Sequence, residues 1–248
     1  MEPTMEPTME PTMEPTMDLS KQTVFYTYFI GSIGNDNIKW HIQSLPSKKY
    51  KGFYYTNNLK IFKALASSDW TAIWVDRPLT DDPIDNCMYG KRFKLFPDKL
   101  PELAGYQYIC FVDSKVPKIS ESWLECTIHY FMVEQYFTLL LRKHPFVPPS
   151  IFEEYNESMK QDRYRLESQQ YLTYIQNQLD KGLKPETEYH CACGLLIRNM
   201  AHEKTGRINR LWDKHIQECG IQDQISFFFV KQYFEDAIFA FPDSPFTP

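Results

Sequence analysis

Four short runs rich in β-branched and aromatic residues recur along the first half of this chain, each closed by glycine, asparagine or aspartate. Together they confine it to a small set of folds. Thr23–Ile30 stops at Gly31, Lys51–Thr56 at Asn57-Asn58, Thr71–Val75 at Asp76-Arg77-Pro78, and Tyr106–Val112 at Asp113. Runs of this length and composition read as buried strands. Between them, residues at about 59–67 and 87–97 have helical spacing, the second ending near Pro97. Strand and helix in alternation predict an α/β fold, with a parallel or mixed central sheet flanked by helices.

The second half is less regular. Ser122 to Arg142 is apolar and periodic and predicts one long helix, stopped before Pro145. Phe152 to about Leu179 predicts one or two exposed helices. His190–Arg198 returns to strand character, and Asn209–Cys219 and Asp223–Tyr233 predict two closing helices. Nothing rich in proline or glycine interrupts residues 20–240, so residues 21–248 are expected to form a single domain. Residues 1–16 are four copies of Met-Glu-Pro-Thr. A proline every fourth residue opposes both helix and sheet, so residues 1–20 are expected to be a disordered tail.

Charge removes one class of function. The net charge is −5, and Glu2, Glu6, Glu10 and Glu14 of the tail supply four of those charges. The remainder carries 27 basic against 28 acidic residues, so no nucleic-acid partner is expected. No transmembrane segment and no signal peptide are legible, and a cytoplasmic location is the expectation. The six cysteines lack the spacing of a disulfide framework. His190, Cys191 and Cys193 lie close together, but alternation puts both thiols on one strand face, which favours buried thiols over zinc. His202 and His215 read as surface histidines.

Open α/β sheets bind ligands beyond the carboxyl ends of their strands. That rule selects Gly31-Ser32, Asn57-Asn58, Asp76-Arg77 and Asp113-Ser-Lys115, a polar set suited to a nucleotide with a phosphate-linked group. Asp113 is the sharpest of them. A carboxylate on the rigid end of an apolar strand can hold a divalent cation against two phosphates. The alternatives are a solvated strand end or a helix cap.

Phe111-Val-Asp-Ser-Lys115 resembles the Trp-Ile-Asp-Gly-Lys segment of a glycosyltransferase-like family, described as hexosyltransferase-like, found in plant, bacterial and algal-virus proteins. Further segments match in order. Val24–Gly31 resembles its opening strand and Phe53–Asn58 its second. Arg92-Phe-Lys94 before Pro97 resembles its Arg-x-x-Lys-x-x-Pro, with the basic spacing one shorter. His144-Pro145, Ile151–Glu154, Leu195–Arg198 and Trp212 have counterparts, and Gln222–Phe227 resembles Arg-Asp-Gln-Leu-Ser-Phe. The likeness runs from about residue 23 to about 232.

The resemblance implies the GT-A fold, a single Rossmann-like domain for nucleotide sugars. It implies transfer of a sugar from a nucleotide-diphosphate donor, a UDP-sugar, to a glycan or glycoprotein acceptor. Asp113 would be the metal ligand for Mn²⁺ or Mg²⁺. Thr27, Gly31, Thr56, Asn57, Arg92, Lys94, Asp113 and Lys115 would line the donor site, with the basic residues on the diphosphate. Asp223 and Gln224 would stand at the transferred sugar as the catalytic pair; Asp223 also reads as a helix cap. His144, Glu154 and Arg198 would be acceptor-side or structural. Two positions depart from the pattern: Lys115 stands where an Asp-x-Asp enzyme has its second aspartate, and Gln222 where the family has arginine. These departures raise an alternative, an inactive nucleotide-sugar-binding module. An interaction scaffold using the tail and the 152–180 helices is a third reading.

Overall fold

The computed structural model describes residues 18–34, 37–113, 116 and 119–241, the side chain of Trp40 excepted. Residues 1–17 and Lys115 lie outside the described residues. A short helix α1 (Leu19–Gln22), capped by Asp18, leads into β1 (Thr23–Phe29). The parallel part of the sheet continues with β2 (Lys51–Thr56), β3 (Thr71–Trp74) and β4 (Tyr108–Val112). Helix α2 (Leu59–Leu65) starts where Asn58 Oδ1 accepts from the Lys60 and Ile61 amides. Helix α3 (Pro83–Leu95) starts at Asp82, whose carboxylate caps Ile84 and Asp85, with proline in the first helical position.

The second half adds α4 (Glu121–Thr127), β5 (Leu139–Lys143), α5 (Ile151–Ser158), α6 (Asp162–Arg165) and α7 (Ser168–Asp180). It closes with β6 (Cys191–Asn199), α8 (Thr205–Cys219), α9 (Asp223–Val230) and β7 (Ile238–Phe241). The seven strands lie in the order β3-β2-β1-β4-β6-β5-β7. All neighbours are parallel except β6, which runs antiparallel to both β4 and β5. The chain therefore adopts the α/β class and the helix-flanked mixed sheet expected from its sequence.

One apolar layer joins the sheet to α3, α8 and α9, with Trp212 and Phe227 fully buried in it. A second, containing Leu65 and Leu124, covers the other face under α2 and α4. A third packs α5, α6 and α7 around α9, with Tyr171 and Phe229 at its centre. A large side chain buried this completely contributes about 1.5–3 kcal/mol. Trp212 also donates from Nε1 to Ser226 Oγ at 3.1 Å and to the Asp223 carbonyl at 3.3 Å, pinning the start of α9 to α8.

The long helix expected over Ser122–Arg142 is corrected. The α-helix ends at Thr127, Ile128–Glu134 is wound as π-helix, and β5 follows. The break comes at Tyr136, whose φ is +61°, a left-handed conformation that ends a helix. Beyond it, Leu139, Leu140 and Leu141 are buried on both faces between β6 and β7. A central strand of that kind is an unbroken apolar run, and periodicity does not separate it from a buried helix. The segment 152–179 forms three helices rather than one or two. Strand β7 was not anticipated.

Candidate functional site

The strand order reverses between β1 and β4, which makes their carboxyl ends the switch point of the sheet. The polar residues that end β1 and β2 bind each other there. The Gly31 amide donates to Asn57 Oδ1 at 2.8 Å, and Asn58 Nδ2 donates back to the Gly31 carbonyl at 2.9 Å. Asn57 Nδ2 donates to the Arg77 carbonyl at 3.3 Å, tying in the end of β3. Gly31 has φ +116°, and a Cβ would stand 2.5 Å from Asn86 Nδ2, so only glycine closes this turn. Thr56 Oγ1 accepts from the Asn58 amide, and buried Thr27 accepts from Gln43 Nε2 at 3.5 Å. Thr27, Gly31, Thr56 and Asn57 thus build the rim of the edge with their polar atoms engaged inside the protein.

Asp113 is exposed at the end of β4. Its amide donates to the Gly194 carbonyl at 2.7 Å, which fixes it against β6, and its carbonyl accepts from Val116.

Asp223 is the first residue of α9, and its carboxylate is buried. Oδ2 lies 2.5 Å from Lys94 Nζ and 3.0 Å from Lys91 Nζ, both on α3, and the side chain is 8% exposed. Burial alone would raise this carboxyl group; the two ammonium groups outweigh burial and hold it well below the usual carboxylate range. The helix-cap reading of Asp223 is corrected, because Gln222 is the cap and its side chain accepts from the Gln224 amide. Lys94 is buried, with Nζ 5.0 Å from the Phe111 ring centroid and 5.6 Å from that of Trp212.

Tyr28 lies between these groups. Burial, then the nearby Asp223 carboxylate, raises its phenol well above the ordinary range. Its ring packs on Phe93 and Phe111 at 5.7 Å. Gly90 permits this, since a Cβ there would meet the Tyr28 ring at 2.5 Å.

Glu154, from α5, sits on the other side of Gln224. Its Oε2 accepts from His190 Nε2 at 2.7 Å and from Gln224 Nε2 at 3.2 Å. Its Oε1 accepts from Gln222 Nε2 at 3.0 Å and from Ser158 Oγ at 3.1 Å. Gln222 therefore presents a neutral amide to a buried carboxylate. His144 stacks on His190 with centroids 5.4 Å apart, and its Nδ1 accepts from the Val147 amide at 2.9 Å. Burial, then His190, lowers the His144 pKa.

The structure brings Lys94, Asp223, Gln224, Glu154 and His144 into one connected group behind the edge that carries Asp113. Two predicted residues stand apart. Arg92 is exposed, with its guanidinium 5.5 Å from the Tyr89 ring. Arg198 pairs with Ile109 in the sheet register, three residues before Val112, and is fully buried, with Nε donating to Asn209 Oδ1 at 3.2 Å. At about 3.3 Å per residue it lies about 10 Å back from the edge. Lys91 was missed in favour of Arg92. The signal was present, because Lys91 and Lys94 are three residues apart and share a helix face, whereas Arg92 and Lys94 do not.

His202 and His215 are buried, which corrects their surface reading. His215 Nδ1 lies 2.6 Å from the Tyr174 hydroxyl, and burial pulls its pKa down to about 4. Cys191 and Cys193 are buried thiols on the α3–α8–α9 face. Among the described residues, no three of His, Cys, Asp and Glu form a group able to hold a metal ion, and no helix is long and apolar enough to cross a membrane.

No protein family and no curated protein matches the sequence. Among solved structures the chain is similar to the apo structure of WbbM, a bifunctional glycosyltransferase, at 12% identity and a TM-score of 0.47. That alignment covers 93% of this chain and 40% of WbbM, so the chain spans well under half the length of that neighbour.

Proposed function

We propose that the chain is a glycosyltransferase that moves a sugar from a nucleotide-diphosphate donor, a UDP-sugar, to a glycan or glycoprotein acceptor. The observation that carries this reading is the placement of Asp113. An exposed carboxylate stands on the rigid end of β4, at the switch point of the sheet, with the Asp223–Lys91–Lys94 cluster behind it. The motif resemblance to hexosyltransferase-like proteins supports the same reading.

A donor diphosphate would lie across the ends of β1 and β4. Mg²⁺ in nucleotide sites is commonly held by one or two carboxylates plus substrate phosphates, and the single carboxylate of Asp113 meets that minimum. Mn²⁺ or Mg²⁺ held there would neutralise charge on the leaving diphosphate. Lys91 and Lys94 place two positive charges against one negative charge, which leaves the cluster net positive toward the same leaving group. A carboxylate held this far below the usual range is a poor base at neutral pH, so Asp223 orients the two lysines and the start of α9. Gln224, held by Glu154, is the polar side chain that α9 offers to a sugar hydroxyl.

The test is transfer or hydrolysis of UDP-hexoses with Mn²⁺. Asp113→Asn should lower turnover by about 10²-fold or more while leaving the melting temperature unchanged. Full activity in a folded Asp113→Asn variant would end this assignment. The buried state of Asp223 also favours a second reading, a module that binds nucleotide sugars without turning them over. It predicts saturable UDP-sugar binding with no release of UDP.

A further inference from the structure

A groove beside β7 is lined by none of the residues given a role above. It encloses about 780 Å³ between the β5–β7 edge and the 183–190 loop, within the roughly 300–1,000 Å³ of small-ligand sites. Two lysines form its floor. Lys231, directly after α9, is 4% exposed, and its ammonium donates to Thr187 Oγ1 at 2.9 Å and to the Tyr189 carbonyl. Lys143, the last residue of β5, is half-buried. Their Nζ atoms lie 4.3 and 5.3 Å from the centroid of the Tyr189 ring.

Among the described residues neither lysine forms a salt bridge. The acids of the groove, Glu186, Glu188 and Glu235, are exposed at its rim together with one lysine, Lys184, so the rim itself is net negative. Hydroxyl and carbonyl dipoles satisfy hydrogen bonds, but they do not cancel a buried charge. Burial lowers the Lys231 pKa in consequence. The floor is therefore electrostatically incomplete, and an anion is the species that completes it. The rim carboxylates repel a dense polyanion and accept hydrogen bonds from hydroxyl groups. A body with one negative charge and many hydroxyls meets both conditions.

The groove is also within reach of the proposed reaction. Lys143 pairs with Cys191, and Gly194, three residues further along β6, holds the Asp113 amide. The spacing along the strand is about 10 Å. Tyr189 packs on the same sheet face as α3, α8 and α9.

We infer that this groove binds a carboxylate-bearing saccharide, with the carboxylate seated between Lys143 and Lys231 and the sugar hydroxyls turned to the rim acids. That this saccharide is the acceptor rests on the glycosyltransferase reading; that an acidic sugar binds here does not.

The experiment titrates the full chain with glucuronate, glucose and inorganic phosphate by calorimetry, and separately with UDP. Glucuronate should bind saturably, and glucose about tenfold more weakly or less. Lys143→Gln should weaken glucuronate about tenfold while leaving UDP binding and the melting temperature unchanged. Lys231 also holds the loop through Thr187 and Tyr189, so Tyr189→Leu is the second variant, and it should weaken glucuronate without unfolding the chain. Equal binding of glucose, phosphate binding as tight as glucuronate, indifference to Lys143→Gln, or no glucuronate binding would each overturn the proposal. Loss of the UDP signal alone would count against the transferase reading and leave the acidic-sugar site standing.

Discussion

Two buried carboxylates flank the start of α9, and the protein treats them differently. Asp223 is met by two ammonium groups from one helix, so its environment is set by charge. Glu154 is met by an imidazole, two amides and a hydroxyl, from α5 itself, from the start of α9 and from His190 just before β6, so its environment is set by geometry. The first arrangement tolerates small displacements, because a charge interaction falls off slowly with distance. The second does not, because each hydrogen bond needs its own angle and distance. Charge therefore clamps α9 to α3, while the amide network sets the orientation of Gln222 and Gln224.

That contrast is open to direct attack. Asp223→Ala leaves two ammonium groups buried without a counter-charge, and the loss should be the largest of any substitution here, about 3–5 kcal/mol in urea unfolding. A loss under 1 kcal/mol would show that the lysines find water instead. Glu154→Gln keeps the shape but forces a donor against donors. It should cost about 2–3 kcal/mol and should lower activity more than Asp223→Asn does for the same loss of stability. Equal effects would erase the distinction between clamp and orienting network.

pH gives a third handle. His215 stays neutral in the fold, with its pKa down at about 4 against an ordinary 6.5. The groups around it are Tyr174 and Tyr233 by contact, and Glu218, Lys181 and Lys214 by charge. The unfolded chain takes up a proton below pH 6.5 that the folded chain refuses until about pH 4. Stability is thus fully present above pH 6.5 and falls by on the order of 2 kcal/mol on acidification to pH 4. His215→Gln should flatten that limb. Asp223 acts in a separate window: its depressed pKa contributes stability that is present above about pH 4 and is lost only as pH falls further. At the small end, Arg92→Ala should change stability by less than about 0.5 kcal/mol, since the residue is exposed and only rests over Tyr89.

The parallel half of the sheet was legible in the sequence because β1, β2, β3 and β4 are apolar runs punctuated by Gly31, Asn57, Asp76 and Asp113. The other half was not. Leu139–Leu141 continues the apolar pattern of the helix before it, and only the left-handed turn at Tyr136 separates the two. Strand β7 has four residues and draws its stability from pairing with β5, which is a tertiary fact. At the site, residue types were readable and their partners were not. The edge rule located Asp113, Gly31 and Asn57, but not that Gly31 and Asn57 bind one another. Two basic residues on α3 were foreseen; helix phase decided that Lys91, and not Arg92, reaches Asp223.

The antiparallel strand β6, wedged between β4 and β5, has a consequence for how the chain is made. Strand β4 is complete at Val112, while its partner begins at Cys191. At about 5–20 residues per second on the ribosome, the intervening stretch takes roughly 4–16 s to emerge. Throughout that interval the fully apolar β4 is paired on one side by β1 and bare on the other, an open template for any neighbouring chain. The newborn protein is thus most exposed to misassociation after its parallel half is complete, and β6 is the strand that ends the risk.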